Sequence, residues 1–317
     1  MADFLHNIIF TLNVTLPVLV VLCLGIWLKR RRIIDQHFTD IGNKLVFNIA
    51  LPCLLFVKIA DAPIVENFNL VYLGYALAVT VGTVVFLQIF CQFFSKDAQK
   101  VAVFVQSSYR GNMGIVGLAL IFNIYTDNAD ALALAAVYLG FMTLVYNIVA
   151  VFILQTDSKA FSWARLKSLL MNPLILSISI ATIWSILGIP LFSALKQTGN
   201  YFASLSLPLA LICIGGSLQL ASLKENKQWV MYACLVKLVL MPAVAVAGAI
   251  LFGFSAEQIT LLFIYMSTPT AAASYVMAKQ MTNQAQLAAE VIAITTLLST
   301  VSISLGVFAL KTAGYIG

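Results

Sequence analysis

Long apolar runs separated by short polar breaks make up almost the whole chain. A helix of about 20 residues spans the ~30 Å hydrocarbon core of a bilayer, and the runs have this length. We therefore predict ten transmembrane helices. The predicted spans cover residues 7–28, 44–60, 69–94, 101–124, 128–155, 169–188, 200–220, 229–252, 257–279 and 285–311.

Membrane-spanning strands are the alternative to helices, but strands of a barrel alternate apolar and polar residues. The continuous apolar run from Leu16 to Leu24 does not alternate. Composition agrees with a membrane protein: 62% of residues are hydrophobic, 9% are charged, and the mean hydropathy is +0.99. These values exclude a soluble globular protein. We expect an all-α polytopic membrane protein in contact with the lipid bilayer.

The net charge of +6 comes from charges that lie mostly in the loops, so it does not indicate a nucleic-acid partner. Basic residues resist translocation and therefore mark the cytoplasmic side. Thirteen of the 18 fall in the first, third, fifth, seventh and ninth loops, and Lys196 and Lys311 lie on the opposite side. This distribution places both termini outside the cytoplasm.

Residues for catalysis or for binding a metal do not form a recognisable group in the sequence. The five cysteines all lie within apolar spans without CxxC spacing, so we expect neither a disulfide framework nor a metal site. The sequence contains no HExxH motif, and its two histidines, His6 and His37, lie at loop positions. We therefore predict a protein that is not an enzyme and carries no cofactor.

An internal repeat appears when the second half is placed over the first at an offset of 156 residues. Pro17 then meets Pro173, Pro52 meets Pro208, and spans 1 to 5 overlie spans 6 to 10. Five crossings per repeat are an odd number, so the two copies have opposite orientations in the membrane. Inverted repeats with interrupted helices are the arrangement that secondary transporters use to alternate the exposure of a midplane site.

The same offset sets residues 111–114 of span 4 against residues 267–270 of span 9, where each helix carries residues that break helices. Two interrupted helices would expose N–H groups suited to a carboxylate, together with donors from Asn112, Thr268 and Thr270. Their free carbonyl ends could hold a cation instead. Kinks made only for helix packing are the alternative.

Charged residues inside the spans are the next candidates. Arg110 lies ten residues after Lys100, or about 15 Å into the membrane, where it needs an anion or a wet cavity. We expect it to fix an anionic substrate, and a structural clamp on its own helix is the alternative. Glu290 in span 10 is the candidate for proton coupling, or it pairs with Arg110 or Lys58. Snorkelling to the membrane surface accounts for Lys58 and Lys237.

These motifs resemble the auxin efflux carrier family, which comprises the plant PIN-type transporters and their bacterial relatives. The resemblance covers nearly the whole chain. The segments that carry it are the Pro17 helix with its basic loop, residues 43–56, Gly111-Asn-Met-Gly-Ile-Val-Gly117, Met171-Asn-Pro173, residues 207–218 and residues 267–279.

The resemblance implies a fold of two inverted five-helix repeats, residues 1–155 and 169–317, joined by a cytoplasmic linker at 156–168. Helices 4 and 9 would be broken crossover helices. Helices 1, 2, 6 and 7 would form a scaffold, and helices 3–5 and 8–10 a transport domain that moves as an elevator. The family's crossover asparagine, a substrate contact, matches Asn112, and its second crossover proline matches Pro269.

This sequence departs from the plant proteins at Gly111, where they have proline, and at Arg110, where they usually have an apolar residue. These departures favour a more anionic substrate. The expected substrate-binding residues are Arg110, Gly111, Asn112, Met113, Gly114, Ser267, Thr268, Pro269 and Thr270. The plant proteins' long central loop is missing, which is typical of bacterial members and indicates the inner membrane, with the termini on the periplasmic side.

We therefore expect a secondary active or facilitative carrier of a small organic anion, a mono- or dicarboxylate. A sodium-coupled carrier like the bile acid symporters, which share this architecture, is one alternative. A membrane sensor that binds a ligand without transporting it is another. The sequence leaves open whether a proton or sodium is coupled and whether the protein forms a homodimer.

Overall fold

The computed structural model describes residues 2–60, 69–126, 128–154, 171, 173–217 and 226–316. Helices account for nearly all of the described residues, and the only extended pairing among them is an isolated antiparallel bridge between Gly111 and Thr270. The expected linker at 156–168 lies outside the described residues. The described part of the chain is therefore all-α.

The first half contains seven α-helices and two π-helical segments among its described residues. They are α1 (Ala2–Arg30), α2 (Gln36–Leu45), π1 (Val46–Ala50), α3 (Leu51–Ala60), α4 (Leu70–Gln92), α5 (Ala98–Tyr109), π2 (Met113–Gly117), α6 (Leu118–Ile124) and α7 (Ala129–Leu154). The segments α2, π1 and α3 follow one another without a break.

The described residues of the second half contain seven further α-helices and one π-helical segment. They are α8 (Pro173–Ile186), α9 (Ser193–Ser217), α10 (Lys227–Leu235), π3 (Val236–Leu240), α11 (Met241–Leu251), α12 (Ala256–Ser267), α13 (Ala273–Met281) and α14 (Ala285–Thr312). The segments α10, π3 and α11 are also continuous.

Six of the described helical segments are long and apolar enough to cross a membrane, and two shorter apolar helices accompany them. The six cover Gln36–Val57, Leu70–Gln92, Ala129–Leu154, Ser193–Gly216, Lys227–Leu251 and Ala285–Thr312. This confirms the predicted class, an all-α polytopic membrane protein. The arrangement of ten spans as an inverted repeat stays a prediction.

Two predicted spans start seven or eight residues too late. The helix predicted from residue 44 begins at Gln36, because Asp35 caps it: its carboxylate accepts a hydrogen bond of 2.7 Å from the Phe38 amide. The helix predicted from residue 200 begins at Ser193. Both extensions contain several polar residues, so hydropathy alone places them in loops.

Close packing joins α1 to α9 through glycines. A Cβ atom on Gly215 would overlap the Leu22 carbonyl oxygen and would lie 3.0 Å from the Ile26 nitrogen, and one on Gly25 would overlap the Ile212 carbonyl oxygen. Small residues at such contacts allow membrane helices to approach backbone to backbone. The two helices are therefore held at a distance that only glycine permits.

The two interrupted spans lie at the centre of the molecule. Every residue of α5 from Val101 to Tyr109 is buried, as is every residue of α12 from Ile259 to Ser267. Large exposed apolar side chains instead lie on outer helices such as α4, where Phe86 and Phe90 stack. Such side chains face lipid in a membrane protein. The centre is thus where an enclosed polar site can form.

Candidate functional site

The first interruption lies between α5 and π2. The last helical residue of α5 is Tyr109, and Arg110 turns to an extended conformation with φ −79° and ψ 102°. Asn112 is also non-helical, with φ −81° and ψ 59°, and π2 begins at Met113. The predicted interruption at residues 111–114 therefore begins one residue earlier than expected.

The second interruption lies between α12 and α13. It begins at Thr268, whose ψ of 147° is extended. Pro269 explains this conformation, because the ring of a proline disfavours the helical region for the residue before it. Helix α13 resumes at Ala273. The break predicted at residues 267–270 is thus shifted toward the C-terminus by one to two residues.

The two interruptions pair with each other. The Asn112 amide donates a hydrogen bond of 2.7 Å to the Pro269 carbonyl, and the Ala271 amide donates one of 3.0 Å to the Arg110 carbonyl. These bonds create the antiparallel bridge between Gly111 and Thr270. We call residues 110–114 and 267–271 the bridge region. Its backbone groups would otherwise be unsatisfied at the centre of a membrane protein.

Thr270 connects the bridge region to two further helices. Its amide donates to the Thr295 hydroxyl on α14 at 3.1 Å, and its own hydroxyl donates to the Ser107 carbonyl on α5 at 2.7 Å. The Thr268 hydroxyl donates to the Tyr265 carbonyl at 2.8 Å. Both threonines are buried and their hydroxyl hydrogens bond to the backbone, so their role as ligand donors stays a prediction.

Asn112 is the polar residue of the bridge region whose side chain stays available. It is partly exposed, and its side-chain amide has no hydrogen bond within the described part of the chain. Gly114 is also partly open, with no atom within 4 Å of an added Cβ. Met113 is buried, and the Ser267 hydroxyl donates to the Ile264 carbonyl at 3.2 Å. Asn112 therefore offers a side-chain amide with free donors in the bridge region.

The Arg110 guanidinium is 7% exposed and has neutral partners among the described residues. It donates to the Asn147 side-chain oxygen at 2.6 Å and to the Met277 sulfur at 2.8 Å. The Asn147 amide nitrogen donates to the Thr143 carbonyl at 2.8 Å, which turns its oxygen toward Arg110. A guanidinium has five N–H donors, so donors remain for a ligand. The alternative, in which Arg110 bonds to carbonyls of its own helix, is therefore not seen, because both partners lie on other helices.

Lys237 is the second buried cation of the site. Its side chain is fully buried, and its ammonium donates a hydrogen bond of 2.6 Å to the Met266 carbonyl at the end of α12. Snorkelling was therefore the wrong prediction for this lysine. A signal was present: Lys237 follows Lys227 by ten residues, the separation that places Arg110 deep after Lys100. The Lys58 side chain lies outside the described part.

Gly111 is required by its surroundings. A Cβ atom there would overlap the Thr268 hydroxyl and would lie 3.0 Å from the Lys237 nitrogen and 3.2 Å from the Tyr265 carbonyl oxygen. Any side chain would push these groups apart. The glycine therefore lets the Lys237 ammonium approach the bridge region.

Glu290 is buried on α14, with 3% of its surface exposed. Its carboxylate accepts a hydrogen bond of 3.0 Å from the Gln286 side chain, one turn earlier on the same helix. Arg110 donates to Asn147 and Met277, so the sequence alternative that paired it with Glu290 is not the arrangement seen. One of its carboxylate oxygens is therefore bonded within α14.

A small cavity lies next to the bridge region. Pro269 and Val116 form one side, Leu22 of α1 the other, and Thr296, Ser299 and Thr300 of α14 add hydroxyl groups. The walls are mainly apolar, and the volume of about 20 Å³ gives room for about one water molecule. The sequence did not indicate this face of α14 or Asn147. No sequence motif identifies the partner of a polar residue in an apolar helix.

The sequence is similar to known membrane transport proteins over nearly its whole length. Residues 10–307 match the family model described as "Membrane transport protein". The uncharacterized transporter YfdV of Escherichia coli K12 is 25% identical over 86% of this chain and 88% of its own. An uncharacterized transporter of Methanocaldococcus jannaschii is 24% identical over 93% and 97%, and one of Methanothermobacter thermautotrophicus is 22% identical over 92% and 95%.

Proposed function

Since the chain belongs to the membrane transport protein family, whose members are like the auxin efflux carriers, we propose that it carries a small organic anion across the membrane. The substrate class is a mono- or dicarboxylate. The observation that carries this proposal is the pair of buried cations beside the bridge region, Arg110 and Lys237, which bond only to neutral groups among the described residues. The protein is a transporter rather than an enzyme.

The charge balance of the site supports an anionic substrate. A buried cation costs several kcal/mol unless it has a partner, at least about 2.5–3.5 kcal/mol for arginine on insertion scales. Asn147 and Met277 supply dipoles but no negative charge. A bound carboxylate would compensate Arg110, and the free amide of Asn112 would donate to it. In this proposal Arg110 and Asn112 are the binding groups, and Gly114 leaves the opening.

Alternating access is the mechanism that fits an interrupted pair of helices. In the proposed arrangement the two inverted repeats form a scaffold from helices 1, 2, 6 and 7 and a mobile transport domain from the rest. The glycine contact between α1 and α9 would stiffen the scaffold. The bridge region would move with the transport domain in an elevator-type motion. The membrane would be a bacterial inner membrane, with both termini on the periplasmic side.

A small cavity of about 20 Å³ marks the boundary between these two bodies. It lies between Leu22 on α1, a scaffold helix in the proposal, and Pro269 in the bridge region. A ligand at such a boundary would be released when the boundary opens. Glu290, buried on α14, is the residue we propose for proton coupling.

Counterflow in proteoliposomes tests the proposal. Purified protein is reconstituted with an unlabelled carboxylate inside, and uptake of the same labelled carboxylate is followed across a panel of mono- and dicarboxylates. We expect transient accumulation of at least one of them. Accumulation also separates a carrier from a sensor, since a sensor binds without exchange. Exchange of a neutral or cationic panel alone would overturn the anion assignment.

Thermal stabilisation provides a second measurement of the same site. A ligand that binds only the folded protein raises its apparent stability, by about 2.7 kcal/mol at a hundredfold excess over Kd. The same carboxylates should raise the melting temperature of detergent-purified protein. The matched control is Arg31→Gln, which removes an exposed arginine that stacks on Trp27 away from the bridge region. This variant should respond as the wild type does.

A further inference from the structure

Four consecutive basic residues, Lys29 to Arg32, end α1 and begin the connection to α2. We call them the basic turn. Its three arginines are exposed, as is Trp27 one turn before Arg31. The guanidinium carbon of Arg31 lies 5.7 Å from the centre of the Trp27 ring. Tryptophan is enriched where the hydrocarbon core of a membrane meets the lipid headgroups. The basic turn therefore lies at the level of the headgroups.

The backbone of the basic turn holds Arg32 in a conformation that glycine adopts more easily. The Ile33 amide donates to the Leu28 carbonyl at 3.0 Å. The Arg32 amide donates to the Lys29 carbonyl at 3.1 Å. This pair of bonds is the Schellman motif, in which a glycine commonly takes the left-handed conformation. Arg32 takes it here, with a φ of 59°, so the turn keeps an arginine where glycine would cost less.

The two carboxylates that follow the basic turn in sequence bond elsewhere. Asp35 accepts a hydrogen bond of 2.7 Å from the Phe38 amide. Asp40 accepts one of 3.0 Å from the Gln36 side chain. Lys29 has a neutral partner, since its ammonium donates to the Gln36 oxygen at 3.5 Å. The positive charge of the basic turn is thus not neutralised by these neighbours and is available to an external anion.

Apolar side chains beside the basic turn are exposed as well. Ile33 is 63% exposed, and Phe38 and Ile41, about one turn apart on α2, are also exposed. The other face of α2 packs on α9, where a Cβ added to Gly216 would lie 2.8 Å from the Thr39 side chain. Exposed apolar side chains next to basic ones fit the boundary between acyl chains and headgroups. A nucleic acid or an acidic soluble protein would leave these apolar side chains in water.

We propose that the basic turn binds the headgroups of anionic phospholipids, while Ile33, Phe38 and Ile41 contact the acyl chains. Clusters of about four to eight basic residues immediately cytoplasmic of a membrane helix are typical of such recognition. Arginine forms forked hydrogen bonds to phosphate, which adds geometry to the attraction of charge. The distribution of basic residues predicts that this turn is cytoplasmic, so the lipids are those of the cytoplasmic leaflet. The inference goes beyond the proposed function and does not depend on the substrate.

Thermal unfolding in two lipids tests the proposal. Detergent-purified protein is mixed with phosphatidylglycerol or with phosphatidylcholine of the same acyl chains, and the melting temperature is measured. Phosphatidylglycerol should raise it more, since a ligand that binds the folded state stabilises it. The difference should shrink at ~1 M salt, where the screening length is ~3 Å. Equal melting temperatures in the two lipids at low salt would overturn the proposal.

Two double variants show whether the basic turn is the site. Arg31→Gln/Arg32→Gln should lose roughly half or more of the phosphatidylglycerol effect, because two of the four basic residues are gone. Lys96→Gln/Lys227→Gln removes two exposed lysines on the same predicted side of the membrane and should keep the effect. An equal loss in both variants would indicate a general charge effect and contradict a site at the basic turn. The wild-type comparison of lipids and salt needs no variant, so it remains decisive if a variant does not fold.

Glycerol phosphate separates a lipid from a free anion. It carries the phosphate without acyl chains, so it should leave the melting temperature unchanged at the concentration of the lipid. Stabilisation equal to that by phosphatidylglycerol would overturn a lipid site. These measurements contain no carboxylate substrate. Silence across the carboxylate panel would therefore leave the lipid result standing, and a missing lipid effect would leave the carrier proposal standing.

Discussion

The backbone amide of Asn112 donates to the carbonyl of Pro269 across 2.7 Å, and this bond joins the two interrupted spans of the protein. The residues that form it lie 157 positions apart, close to the repeat offset of 156. The Asn112 backbone therefore holds the bridge region together, and in the proposed function its side-chain amide donates to the substrate.

Gly111→Ala should destabilise the protein. The new methyl group would overlap the Thr268 hydroxyl and press on the Lys237 ammonium, and overpacking of this kind costs about 1–3 kcal/mol. The measurement is thermal unfolding followed by intrinsic fluorescence. Gly114→Ala is the matched control, because nothing lies within 4 Å of its added Cβ. Equal melting temperatures for the two variants would contradict the crowded geometry.

Arg110→Gln should weaken carboxylate binding. Hydrogen bonds to charged groups contribute about 1.5–3 kcal/mol, which corresponds to a loss of roughly tenfold to a hundredfold in affinity. Arg110→Lys keeps the charge but loses the fork of donors, so we expect an intermediate loss. Titration calorimetry with the best carboxylate measures both variants. The anion role of Arg110 is ruled out if the glutamine variant binds as tightly as the wild type.

Asn147→Asp should separate stability from binding. The substitution places a carboxylate 2.6 Å from an Arg110 nitrogen, at the position of the present amide oxygen. An internal carboxylate would neutralise the guanidinium and compete with the substrate, so binding should fall while the melting temperature holds or rises. Asn147→Leu removes the partner and should lower the melting temperature. An aspartate variant with wild-type affinity would disprove a competing internal anion.

Thr270→Val should lower stability with little change in shape. The valine cannot donate to the Ser107 carbonyl, which stays buried, and an unsatisfied buried acceptor costs about 1–3 kcal/mol. The control is Thr126→Val, where an exposed hydroxyl bonds to the Phe122 carbonyl. Chemical denaturation of both variants in the same detergent provides the comparison. A smaller loss at Thr270 than at Thr126 would mean that this bond contributes nothing.

Gly215→Ala should separate α1 from α9. Its Cβ would overlap the Leu22 carbonyl oxygen, and a backbone atom cannot rotate away as a side chain can. We expect a lower melting temperature and lost counterflow. Gly74→Ala is the control, since no atom lies within 4 Å of its Cβ. Crosslinking of cysteines placed on the two helices reports the separation directly.

Much of the helical architecture could be predicted from the sequence, because span length and helix breakers are local properties. Gly111 and Pro269 indicated the two interruptions to within one or two residues. The starts of α2 and α9 could not be read from hydropathy, since a capping carboxylate and polar helix positions decide them. Local patterns therefore predicted the positions of the helices but not all of their first residues.

Side-chain partners in the site depended on tertiary packing. Arg110 was placed correctly as a buried cation, yet its partner Met277 lies 167 residues away, and no spacing rule connects them. Thr268 and Thr270 were expected as ligand donors, but their hydroxyls donate to backbone carbonyls of α12 and of α5. The depth of Lys237 could have been predicted from its ten-residue separation from Lys227, as the depth of Arg110 was from Lys100.

The paired hydrogen bonds of the bridge region also impose an order on biogenesis. The interrupted backbone at Arg110 and Asn112 is synthesised long before Pro269 and Ala271, which complete its bonds. During translation these peptide groups of the first half therefore have no partner until the last third of the polypeptide has entered the membrane. Until then, water or the insertion machinery must satisfy their hydrogen bonds. A nascent chain that stops before residue 271 lacks a partner for the Arg110 carbonyl and cannot complete the bridge region.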